Sequence, residues 1–104
     1  MEQYRVDVAD PAEHDLMDIV KYIASQLSAP MTALNMLEFL ETSMAGLSRF
    51  PQRYPLVSDE RLALLGYRHL EAKNYIVFYT INEDEKVVDV ERILYARRDW
   101  LNII

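Results

Sequence analysis

The stretch from Tyr75 to Trp100 constrains the fold more than any other part of the chain. It opens with Tyr75-Ile76-Val77-Phe78-Tyr79-Thr80-Ile81 and passes through the polar loop Asn82-Glu83-Asp84-Glu85-Lys86. It continues as Val87-Val88-Asp89-Val90-Glu91-Arg92-Ile93-Leu94-Tyr95 and ends in Ala96-Arg97-Arg98-Asp99-Trp100. β-Branched and aromatic residues dominate both runs, as strands require. The first run is apolar on both faces, with Tyr75, Val77, Tyr79 and Ile81 on one and Ile76 and Phe78 on the other, which suits a central strand covered on both sides. The loop is acidic and lacks glycine, so a longer loop is expected rather than a tight primed turn. The stretch reads as a β-hairpin in mid-sheet, with a basic, aromatic segment leaving its end.

The remaining sequence supplies what such a hairpin packs against. Tyr4-Arg5-Val6-Asp7-Val8 alternates, predicting a short strand with Tyr4, Val6 and Val8 inward. Asp10-Pro11-Ala12-Glu13 predicts a helix start with Asp10 as cap, and Glu13, Asp15 and Asp18 suit the positive end of its dipole. Leu16, Ile19, Val20, Ile23 and Leu27 recur at helical spacing, predicting a helix over 11–27. After Ser28-Ala29-Pro30, the stripe Ala33, Leu37, Leu40, Met44 and Leu47 predicts a second helix over 30–48. The break is short enough only to return the chain, so the two helices form an antiparallel hairpin. Met31, Met36 and Met44 read as adaptable core filler. Phe50-Pro51 and Tyr54-Pro55 make a rigid connection, with Phe50 and Tyr54 expected to close the end of the core. Residues 57–65 fit either a helical turn or an irregular approach to a strand. A strand is expected over 66–71, and Ala72-Lys73-Asn74 turns into the hairpin. The fold class is therefore α+β: one strand, a helical hairpin and a three-stranded antiparallel meander, with the sheet face away from the helices partly open.

Composition narrows the function. The chain has 104 residues, enough for one domain over 1–104, and half of it is hydrophobic, so a sizeable core is expected. It contains no cysteine, which excludes disulfides and cysteine-based metal sites and makes a reducing cytoplasm the default compartment. No apolar run approaches the length of a membrane span, and the N-terminus lacks the basic flank and apolar core of a signal peptide. The net charge is −6; residues 1–50 carry three basic and eight acidic side chains, residues 51–104 eight and nine. General nucleic-acid binding, which needs clustered positive charge, is disfavoured, and sequence-specific DNA binding by this chain alone is not expected.

This order of elements resembles the RelE/ParE superfamily of bacterial type II toxins. The residues that carry the likeness are Tyr67-Arg68, Asn74-Tyr75-Ile76-Val77-Phe78-Tyr79, and Arg92-Ile93-Leu94-Tyr95-Ala96-Arg97-Arg98-Asp99. The last resembles the family's closing strand and basic turn, which usually reads Ile-Leu-His-x-Arg-Arg-Asp; tyrosine stands at position 95 in place of that histidine. The resemblance implies a toxin neutralised by a cognate antitoxin, with no cofactor or metal. Two activities occur in the superfamily: ribosome-dependent mRNA cleavage in RelE-type members, and protein contact with DNA gyrase in ParE-type members.

RNA cleavage needs a base, an acid and cations around one phosphate. The resemblance makes Arg98, Arg97, Tyr95 and His69 the catalytic candidates and Arg68, Arg92 and Trp100 the binding candidates. RelE-type members carry an arginine after the aromatic that matches Tyr75, whereas this chain has Ile76. That change, the acidic charge and the long helical hairpin favour the ParE-type reading; an mRNA endoribonuclease and a non-toxic antitoxin-binding member are the alternatives. Each candidate also has a plainer reading. Tyr95 fits a packed aromatic, His69 a cross-strand residue, and Arg92 or Arg98 a surface bridge to Asp99, Glu91 or Asp89. The stem of Arg68 fits a cover over apolar surface, and Trp100, with Leu101, Ile103 and Ile104, fits either the core or a partner surface.

Overall fold

Strands β3 (Tyr75–Asn82) and β4 (Val87–Tyr95) form the middle of a four-stranded sheet in the computed structural model, which describes residues 3–104. β1 (Arg5–Val8) pairs in parallel with β4, and β2 (Arg68–Ala72) pairs antiparallel with β3, giving the order β1-β4-β3-β2. Between β1 and β2 run α1 (Asp10–Lys21), which continues as a π-helical turn over Tyr22–Gln26, α2 (Pro30–Ala45), and a short α3 (Glu60–Leu64). A parallel pair needs a crossover, and the helical hairpin is part of it. The loop between β3 and β4 is four residues long with Lys86 at φ 56, in line with the longer loop expected from its composition.

Leu16, Leu40, Met44 and Leu47 pack on Val77, Tyr79, Val88, Val90 and Ile93. Of the expected stripes, Leu16, Ile23, Ala33, Leu40, Met44 and Leu47 are buried and Ile19, Val20 and Leu37 half-buried, while Leu27 at the hairpin tip is exposed; Met31, expected as core filler, is exposed there too because it sits in the first turn of α2, beyond the end of the sheet contact. Asp10 is the first helical residue rather than the cap. The Ala9 N–H is held by the Val90 carbonyl, and the Ala9 carbonyl already accepts from Glu13, so the cap falls at Ala9.

A β-bulge breaks the alternation in β4. Phe78 pairs with Arg92 and Tyr79 with Val90, which leaves Glu91 unopposed. Val90 and Ile93, three apart, thus both face the helices, while Leu94 faces away.

The second face is more covered than the sequence suggested. Val57, Leu62, Ile76, Phe78 and Leu94 form a second buried cluster, with Tyr67, Trp100, Ile103 and Ile104 packed against it. The ambiguous stretch resolves as α3, capped by the Asp59 carboxylate accepting from the Leu62 N–H at 3.0 Å. Gly66, at φ 87, then turns the chain into β2, so that strand starts two residues later than expected. Phe50 does not close the core: its φ of 47 turns it outward, while Tyr54 packs inward.

Candidate functional site

Where β1 ends, the N-terminal half of α1 crosses the end of β4, and Asp15 fills the gap. Its carboxylate accepts from the Ile93 N–H at 3.0 Å and forms a fork with Arg92, Nε–Oδ2 2.7 Å and Nη2–Oδ1 2.9 Å. Arg92 is thereby committed to α1, not to the acids near it in sequence. Asp15 holds α1 at a fixed distance from the strand and leaves a cleft beyond the contact.

That cleft measures about 600 Å³ and runs between α1 and the paired ends of β3 and β4. Asp15, Asp18, Ile19, Tyr22 and Leu27 line its helical wall; Asn74, Tyr75, Ile93, Tyr95 and Arg98 line the other. Tyr75 and Tyr95 are register partners, with ring centroids 5.9 Å apart in an edge-on arrangement. Burial pushes the Tyr75 hydroxyl pKa up, and the neighbouring Tyr95 and Tyr22 hydroxyls add to the effect. After β4 the Ala96 N–H donates to the Asn74 carbonyl and the Arg98 N–H to the Tyr95 carbonyl, a turn that brings Arg98 to the cleft.

The structure thus brings Tyr95 and Arg98 together and sets the other candidates elsewhere. Arg97 is exposed and does not line the cleft. His69 pairs with Phe78, so it faces the second cluster, on the opposite side of the sheet from Tyr75. Arg68 donates to the Gln52 carbonyl at 3.2 Å and the Tyr54 carbonyl at 2.6 Å. Together with the Tyr79 hydroxyl, which donates to the Pro51 carbonyl at 2.6 Å, it ties residues 51–54 to the sheet. Trp100 lies on Phe78, centroids 5.1 Å apart. No group of three or more histidine, aspartate or glutamate side chains is placed to hold a metal among the described residues.

The sequence reading missed Asp15, Asp18 and Tyr22 as site residues. Their signal was present: spacings of three and four put Asp15 and Asp18 on one face of α1 and Tyr22 on the same side at the start of the π-helical turn. The two acids had been accounted for by the helix dipole, and Tyr22 fell between the core positions.

Solved structures share this fold. The chain has a TM-score of 0.75 and 16% identity to a chain from the chromosomal ParDE system of P. aeruginosa, covering 91% of this chain and 98% of that one. For the RelBE2 toxin–antitoxin complex of Mycobacterium tuberculosis the values are 0.63 and 22%, covering 91% and 93%. For the archaeal RelE–RelB complex of Pyrococcus horikoshii OT3 they are 0.53 and 15%, covering 92% and 98%. No curated protein sequence matches. Residues 6–100 match the family described as the ParE toxin of the type II toxin–antitoxin system parDE, and with nearly its whole length matched the chain belongs to that family, as the toxin component of such a system.

Proposed function

We propose that this toxin is neutralised by a cognate antitoxin and, once released, acts by protein contact on DNA gyrase rather than by cutting RNA. The observation that carries the reading is the dispersal of the groups RNA cleavage would need. Ile76 stands where the resemblance to RelE-type members places an arginine, and it is 8% exposed within the second cluster, with its side chain on the face away from Tyr75. His69 shares that far side. Among the described residues Arg98 is left as the one cationic side chain lining the cleft, where the carboxylate of Asp18 also lies and that of Asp15 is already paired with Arg92. Stabilising a developing phosphorane calls for several donors within hydrogen-bond reach of one phosphate, and carboxylates alongside oppose it.

An antitoxin has apolar surface to cover. Tyr22, Leu27, Met31 and Leu34 are exposed around the tip of the helical hairpin. β1 is an edge strand; Ser48 and Arg49 bond to Tyr4 and Gln3 just before it, and along Arg5–Val8 no further strand follows it in the sheet among the described residues.

A second reading, ribosome-dependent mRNA cleavage, draws on Tyr95 and Arg98 sharing one cleft. Growth assays separate the readings. Expression without the partner gene should arrest growth, and Arg98→Ala should remain toxic. If Arg98→Ala removes both growth arrest and mRNA cleavage, the endoribonuclease reading replaces ours. If the unmodified chain is harmless, it is a binding member that has lost toxicity.

A further inference from the structure

The same cleft has a chemistry suited to one kind of guest. We propose that it receives an arginine side chain presented by a protein partner, with the guanidinium against the rings of Tyr22, Tyr75 and Tyr95 and paired to Asp18. This rests on the protein-contact reading above and names the side chain the partner presents.

Three observations meet here. Aromatic rings reach the cleft from three places, the π-helical turn, the start of β3 and the end of β4. Tyr22 and Tyr95 are 54% and 40% exposed, so their rings are available to a guest. The rings of Tyr75 and Tyr95 stand 5.9 Å apart, and Tyr22 lines the same cleft from the facing wall. Neutral phenol rings present negative faces, which attract a cation.

The second observation is an unused anion. Asp15 is occupied by Arg92 and the Ile93 N–H, but the carboxylate of Asp18, one turn further along α1 and exposed, has no hydrogen-bond or ion-pair partner among the described residues. The third is the field around it. The helical wall belongs to the half of the chain with eight acidic and three basic residues, which attracts a basic segment. A planar guanidinium both stacks on rings and forks onto a carboxylate, whereas a lysine ammonium does only part of this. Ile19 and the exposed Leu27, both on the helical wall, provide apolar surface for the alkyl stem. Arg98 on the other wall opposes a basic guest and favours an acidic one, so the signs of two substitutions discriminate between them.

The test titrates the full chain with N-acetyl-arginine amide, with the uncharged N-acetyl-citrulline amide, and with dimethyl phosphate, following the tyrosine ring signals by NMR. The arginine compound should shift the rings of Tyr22, Tyr75 and Tyr95 saturably, about three-fold or more tighter than citrulline. Asp18→Asn and Tyr22→Leu should each weaken it by a similar factor, and Arg98→Ala should leave it unchanged or tighter. Both Asp18 and Tyr22 are exposed, so these variants should keep the parent melting temperature. Equal binding of the arginine and citrulline compounds, or no saturable shift, overturns the proposal. Phosphate binding that is lost in Arg98→Ala also overturns it and assigns the cleft to a nucleic-acid backbone. Gyrase inhibition is measured separately: if it persists when arginine binding fails, only the arginine receptor is lost, and the reverse outcome removes only the gyrase reading.

Discussion

Asp15 answers two needs with one carboxylate, neutralising Arg92 and capping a strand N–H that β1 is too short to reach. Its side chain is 11% exposed, so removing it leaves a partly buried guanidinium and a backbone donor without partners. Asp15→Ala should therefore cost about 2 kcal/mol in urea denaturation, while Asp18→Ala stays near zero. A loss below about 0.5 kcal/mol for Asp15→Ala would show that water replaces both contacts. Tyr79 is the second such residue. Burial pushes its hydroxyl up to about 12 from an ordinary 10.0, and it donates to the Pro51 carbonyl. A raised folded-state pKa gives stability that is complete below pH 10 and lost as pH rises towards 12, because the unfolded chain ionises first. Tyr79→Phe should lower stability by about 1–2 kcal/mol at neutral pH and flatten that alkaline decline in pH-dependent melts. Glu83 works in the opposite direction. Hydrogen bonds from Gln52 and Tyr4 hold its carboxyl below the ordinary 4.5, so its contribution is present above that pH and fades as the solution becomes more acidic.

The elements were largely legible because their signals are local. The alternation of β3, the stripes of the two helices and the prolines at their starts each act within a few residues. The cover on the second face was less so, since Trp100 and Ile104 meet Ile76 and Phe78 only after the chain has turned back across the sheet. Tyr95 and Arg98 could be picked out as site candidates, but the far wall of their cleft comes from α1, and no short-range pattern joins Asp15 to Arg92 across 77 residues. The bulge at Glu91 was also hidden, because its effect on Val90 and Ile93 appears only when the register is known. Trp100, the only tryptophan, makes the closing segment testable by fluorescence. Trp100→Ala should cost about 2 kcal/mol, less than a fully buried ring would because the site is partly exposed. In the parent chain its emission should be blue-shifted relative to free tryptophan; an emission like that of water-exposed indole would place the segment off the sheet.

At the scale of the molecule, charge and exposed apolar surface point to a basic partner. The chain carries −6, and the hairpin tip leaves Tyr22, Leu27, Met31 and Leu34 uncovered. The antitoxin complex should therefore stay soluble at concentrations where the toxin alone aggregates, and association should slow as salt is raised. An association rate indifferent to salt would leave the attraction to apolar contact alone. No described helix is long and apolar enough to cross a membrane. The most direct test is a DNA supercoiling titration with purified toxin and gyrase, run beside a ribosome-bound mRNA cleavage assay. Inhibition of supercoiling that antitoxin reverses, with the mRNA intact, is the predicted result; unaffected supercoiling with cleaved mRNA would contradict it.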